Sequence, residues 1–197
     1  MLQEISNYLD QISALVLKIP SRNVEKLAMI ILDAYARGSR IFIFGNGGGS
    51  ATSSHFACDL AKGTAVPGKP RLKAISLADN VPMITAWAND TDYTNTFGEQ
   101  LKNLVEKDDV VIGLSGSGMS PNVINAFRVA NEAGAVSVLF SGFEGGAAVE
   151  VARESIVVPS EDMQQIEDVH LILCHIVFRM VRNRIWGKGT GAASSQC

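Results

Sequence analysis

Hydrophobic positions along the first 37 residues recur at helical spacing: Ile5, Leu9, Ile12 and Val16, then Val24, Leu27, Ile30, Ile31 and Ala34. The pattern breaks at Pro20-Ser21, where Ser21 is expected to cap a second helix, so two helices precede the first strand. The period then changes. Residues 40–44, 71–76, 109–114, 136–140 and 155–158 are short β-branched or apolar runs bounded by Gly, Pro, Ser or Asp, and read as strands. Segments 51–62, 82–89, 92–106, 121–133, 146–153 and 163–186 between and after them have helical character. Strands alternating with helices predict a doubly wound α/β architecture around a mostly parallel sheet. The last helix is apolar around much of its circumference (Val169, Leu171, Ile172, Leu173, Ile176, Val177, Met180, Ile185), which predicts burial against another subunit as well as against the core.

Composition narrows the function classes. The 197 residues fit one domain, expected over 1–186, with 187–197 as a small, polar, flexible tail. The 17 Lys and Arg are scattered and the net charge is -3, which argues against a nucleic-acid surface. No stretch has the form of a signal peptide or a membrane span, so a cytoplasmic location is expected, with no membrane partner. Cys58, Cys174 and Cys197 show no CxxC spacing, which disfavours a disulfide framework or a cysteine zinc site. Cys58 and Cys174 are expected to be small core residues.

Two turns carry the candidate chemistry. Gly45 to Ser50 (GNGGGS) and Ser115 to Ser120 (SGSGMS) each follow an apolar run and open a helical segment. Glycine lets the backbone approach an anion, serine hydroxyls donate to it, and the free N–H groups of the helix's first turn complete a phosphate cradle. A phosphorylated small molecule is the ligand such a pair predicts. Beyond the first turn, His55 and Asp59 are spaced i, i+4 and share one helix face. Glu167 and His175 lie eight residues apart in the otherwise apolar last helix, where charged groups are rarely placed without a partner. Two His, one Asp and one Glu suit a borderline divalent metal such as zinc, or an acid and a base around a sugar. His170, on another side of that helix, reads as a structural histidine.

The segments GNGGGSATSSHFACDL, AWANDTDY, GLSGSGMSPNVINA and QIEDVHLILCH, in this order and spacing, resemble the sugar isomerase (SIS) fold family and, within it, the phosphoheptose isomerases. The resemblance covers roughly residues 1–186. It implies a SIS-type sandwich with a five-stranded parallel sheet between helices, and a homotetramer with active sites at subunit interfaces. The implied reaction is aldose–ketose isomerisation of sedoheptulose 7-phosphate to D-glycero-D-manno-heptose 7-phosphate through an enediol, with zinc in several members and no organic cofactor. Carried over, Asn46, Gly47, Gly48, Ser50, Asn89, Asp90, Ser115, Gly116, Ser117 and Ser120 are the substrate and phosphate positions. His55, Asp59, Glu167 and His175 are the implied metal set. Asp59 is expected as base and His175 as acid; because Asp is one methylene shorter than the family's Glu, Glu167 stays open as an alternative base.

The sequence also departs from the family pattern. Asp59 replaces Glu, Glu167 replaces Gln, Gly49 stands where Ser is usual, and Gly63, after Lys62, stands where an Arg is common. Two non-enzymatic alternatives exist in the same fold: scaffolds that bind the bacterial replication initiator, and sugar-phosphate sensors fused to DNA-binding domains. Such scaffolds tend to lack the terminal His, which His175 supplies here, and the length leaves no room for a helix-turn-helix beside the core.

Overall fold

A computed structural model describes residues 1–187. Helices α1 (Leu2–Lys18) and α2 (Ser21–Arg37) lead into β1 (Arg40–Gly45), α3 (Gly48–Gly63), β2 (Lys73–Ser76) and α4 (Val81–Asp90). A 3₁₀ turn (Tyr93–Asn95), α5 (Gly98–Leu104), β3 (Val110–Ser115), α6 (Pro121–Glu132), β4 (Val136–Ser141), β5 (Glu154–Val157) and α7 (Met163–Trp186) follow. All strand pairs are parallel, in the order β2-β1-β3-β4-β5. Within the described residues no helix is long and apolar enough to cross a membrane.

The central strands β1, β3 and β4 are buried on both faces, as a parallel sheet is where crossover helices cover it. In β1, Ile41 and Ile43 face a core shared with α1, α2, α3 and α7, while Phe42 and Phe44 face the core under α5 and α6. Strand alternation alone makes that division. The connection after β1 returns on one side of it to β2, and β3 then pairs on its other side. The order in which strands are added therefore reverses between β1 and β3, and in open α/β sheets ligands bind in the crevice at the carboxyl ends of the strands at such a switch. Gly45 of β1 is in register with Leu114 of β3, so the two glycine-serine turns leave the sheet side by side.

Several sequence expectations are corrected. Segment 92–106 is not one helix: Asp92 accepts from Thr94 N at 2.8 Å, closing a 3₁₀ turn, and α5 starts afresh at Gly98. Segment 146–153 forms turns, because Gly145 (φ 92°) and Gly146 (φ 55°) are left-handed and Ala148 N donates to Gly118 O rather than to a helical partner. Ser21 is the first residue of α2 rather than its cap; Pro20 takes the cap position, without a side-chain bond. Cys58 is exposed, whereas Cys174 is buried as expected. Of the tail expected over 187–197, residues 188–197 lie outside the described residues.

Candidate functional site

The first turns of α3 and α6 converge on a cleft of about 150 Å³ at the switch point, lined among others by Asn46, Gly49, Ser115, Gly116, Ser117, Ser120 and Glu167. Ser120 precedes α6, with Pro121 at its first position, where the missing N–H costs nothing. The Ser120 side chain does not cap the helix. Its hydroxyl instead accepts from Ser115 Oγ at 3.1 Å; in the first helical turn Val123 N and Ile124 N donate to Ser120 O, and the Asn122 N–H is the one left open toward a ligand. Ser117 Oγ accepts from Met119 N at 3.2 Å, closing the turn, and Gly118 (φ 66°) takes a conformation that side chains resist. In the other turn, Ser50 Oγ donates to Gly47 O at 2.7 Å. Asn46 is fixed by three contacts: a reciprocal amide pair with Asn122, at 2.9 Å each way, and the hydroxyl of Tyr93 at 2.9 Å.

Two glycines let side chains of α7 come close to the turns. A Cβ on Gly48 would fall on the Glu167 carboxylate, and one on Gly116 would fall on the sulfur of Met163. Glu167 therefore rests against the first turn of α3, where the helix dipole favours an anion. No Lys or Arg is among the residues lining the cleft.

Farther along the seam of α3 and α7 lies a triad. His175 Nε2 and His55 Nε2 are 3.0 Å apart, and Asp59 Oδ2 lies 3.4 Å from His55 Nε2 and 3.9 Å from His175 Nε2. Both imidazoles are about half exposed. At 3.0 Å only one of the two nitrogens carries a proton in this arrangement, since two N–H donors would repel. The three ligand atoms lie within 4.8 Å of one another. Donors about 2.0–2.1 Å from a tetrahedral zinc are roughly 3.3 Å apart, and three protein ligands with an open position are the catalytic zinc pattern. Two imidazoles and one carboxylate thus fit a borderline divalent ion.

Of the four residues expected to converge, the structure brings together His55, Asp59 and His175. Glu167, eight residues and about 12 Å of helix before His175, faces the phosphate-type cleft instead. Asn89 and Asp90 are exposed at the end of α4, where Asn89 Nδ2 donates to Asp90 Oδ1 at 2.8 Å, and neither lines the cleft. The motif that contains them does reach the site, through Tyr93. Sequence reasoning missed Tyr93, Asn122 and Met163, although the first two lie inside the quoted segments. At Gly63, a Cβ would lie 2.5 Å from Cζ of Phe178, so the ring excludes any side chain there.

His170, 2 % exposed, lies between the sheet and the cleft, edge-on to Phe140. Its Nε2 is 3.1 Å from the carbonyl of Ser141, which can only accept, so Nε2 carries the hydrogen. Burial pushes its pKa down to about 4, against a smaller upward pull from the Ser141 carbonyl. A group depressed in the folded state binds its proton more readily when unfolded. Stability is therefore expected to fall as pH drops from about 6.5 to about 4, by up to about 3 kcal/mol. Denaturant melts of wild type and His170→Gln across that window check this: the variant should lack the added slope.

The comparisons identify the family. The SIS-domain family profile matches residues 7–141. A phosphoheptose isomerase of Thermodesulfovibrio yellowstonii is 38% identical over 160 residues, covering 81% of this chain and 79% of the relative. One from Burkholderia pseudomallei is 38% identical over 165 residues, covering 84% and 83%. The chain belongs to the SIS-domain family, among the phosphoheptose isomerases. The solved structure of phosphoheptose isomerase GmhA from Neisseria gonorrhoeae, a member of that family, superposes with a TM-score of 0.84 at 26% identity, over 92% of this chain and 98% of that one.

Proposed function

We propose that the chain is an aldose–ketose isomerase converting sedoheptulose 7-phosphate to D-glycero-D-manno-heptose 7-phosphate through an enediol. The observation that carries this reading is one seam holding both an anion cradle and, beside it, a His-Asp-His triad. The cradle suits the phosphate: the backbone N–H at the start of α6 and the Ser117 and Ser120 hydroxyls would donate, with Ser115 orienting Ser120 by its own hydrogen bond. Asn46, Gly47, Gly48 and Ser50 would hold the sugar from the α3 side, with Asn89 and Asp90 entering only by a movement of α4. His55, Asp59 and His175 would hold a divalent ion, zinc by donor type, which when bound polarises the carbonyl. With Asp59 engaged between two imidazoles, Glu167 is the carboxylate free to move the proton between the two reacting carbons. In an ion-free site Asp59 would take that proton, and His175, its hydrogen shared with His55, would serve the oxygen.

A scaffold or sensor role leaves the triad without a purpose. Incubating the protein with sedoheptulose 7-phosphate and following the aldose anomeric proton by NMR tests the reading. Formation of the aldoheptose phosphate is expected, and no conversion with or without added zinc would overturn it. Replacing Ser117 and Ser120 together with Ala should raise KM for the phosphorylated sugar about tenfold or more, since two hydrogen bonds to a charged group are removed. An unchanged KM would move the phosphate elsewhere.

The same reading includes a homotetramer in the cytoplasm with interfacial sites, residues 1–186 forming the SIS unit of each subunit. Leu2, Ile5 and Leu9 of α1 are 59% to 86% exposed, and the triad imidazoles lie open although enediol chemistry benefits from excluding water. Light scattering at micromolar concentration is expected to give four chains, and a stable monomer would contradict it.

A further inference from the structure

The cleft is divided by hydrogen-bonding character. Its α6 side offers donors, the Asn122 N–H and the Ser117 and Ser120 hydroxyls, that suit a phosphate. Its α7 side offers Glu167 and His170, with no Lys or Arg beside them. The imidazole of His170 is a fixed tautomer, because Nε2–H is committed to the Ser141 carbonyl and Nδ1 is left with a lone pair. Among the described residues Nδ1 has no hydrogen-bond partner. Among the described residues, the one buried side-chain nitrogen or oxygen shut off from both partner and solvent is Ser141 Oγ. Nδ1 is thus not shut off from solvent, and His170 is among the residues lining the cleft.

An acceptor beside a second acceptor is the wrong chemistry for a phosphate dianion, which has no hydrogen to give. It is the right chemistry for a hydroxyl. Building on the isomerase reading, we propose that His170 Nδ1 accepts a hydrogen bond from a hydroxyl of the substrate's polyol chain, between the phosphate and the reacting carbons, and so selects hydroxylated sugar phosphates over deoxygenated ones. Burial keeps the ring neutral at working pH, so the acceptor is always present and never becomes a cation that would draw the phosphate out of its turn. Sites that hydrogen-bond a substrate hydroxyl reject the analogue lacking it more strongly than apolar pockets reject a changed methylene, because the buried acceptor is left unpaired.

The test uses binding, so that it does not depend on turnover. Wild type, His170→Gln and His170→Asn are titrated calorimetrically with heptitol 7-phosphate, its 4-, 5- and 6-deoxy analogues, and inorganic phosphate. Gln can still donate to Ser141 but has no acceptor at the Nδ1 position; Asn reaches that position with its amide oxygen but leaves Ser141 unpaired. One deoxy analogue is expected to bind wild type about tenfold more weakly than the parent, and His170→Gln should lose about the same factor for the parent. That analogue should then lose nothing further in His170→Gln, and inorganic phosphate should bind all three proteins alike. His170→Asn should keep the affinity and lose thermal stability. Additive losses, or an equal loss for inorganic phosphate, would overturn the proposal. If neither variant folds, equal affinity of wild type for the parent and all three deoxy analogues overturns it. Failure of wild type to turn over sedoheptulose 7-phosphate strikes the isomerase reading separately.

Discussion

His175→Ala is expected to lower kcat by about 10²–10⁴-fold, the range that positioned acid–base groups contribute, while barely moving thermal stability when both proteins are melted after chelation, so that loss of a bound ion does not enter the comparison. The side chain is half exposed on α7 and its polar contacts are to His55 and Asp59, which water can solvate once the ring is gone. Surface changes of this kind usually stay within about 0.5 kcal/mol. Asp59→Asn should cost kcat similarly, since it keeps the shape and removes the one negative charge among the three ligand atoms. Because the three groups act as a unit, the double variant should be little worse than either single one. Steady-state kinetics on sedoheptulose 7-phosphate with parallel thermal melts decide it. A His175→Ala enzyme with wild-type kcat would remove the triad from the reaction; one that melts far below wild type would make the residue structural.

Local geometry in this chain was legible because it rests on short periods. The i, i+4 spacing of His55 and Asp59, the Ile-Phe alternation of β1 and the two turns that open α3 and α6 all follow from the sequence with no knowledge of partners. Strand order is another matter. That β3 pairs with β1 on the side away from β2, which is what sets the two turns next to each other, depends on how the whole sheet winds. Periodicity also failed where a side chain or a glycine overrode it. Asp92 captured a backbone N–H and split the expected helix 92–106, and left-handed Gly145 and Gly146 replaced the helix expected over 146–153 with turns. At the site, His55 and Asp59 were grouped with Glu167 and His175 by residue type and the family resemblance supported the grouping, but no local period sets His55 against His175 across 120 positions. That resemblance alone did not separate Glu167 from the triad, because which residue of α7 reaches α3 depends on how the helices cross.

That separation gives Glu167→Gln its value. The substitution restores the family's usual amide, is nearly isosteric, and removes a carboxylate resting against the first turn of α3. If Glu167 moves the carbon proton, kcat should fall at least about 10²-fold, because an amide cannot act as a base. Metal content should hardly change, since the ligand atoms of His55, Asp59 and His175 form the convergent set. His55→Ala is the contrast and should lose both the ion and the activity. Wild type should keep about one divalent ion per chain through purification, lose it with activity on strong chelation, and recover both on metal return, because a carboxylate and two imidazoles bind such ions tightly. Elemental analysis of the three proteins beside their kcat values separates the roles. Loss of the ion in Glu167→Gln would return Glu167 to the metal shell, and an unchanged kcat would end its role as base. A fully active wild type without metal would leave Asp59 and His175 as the acid–base pair.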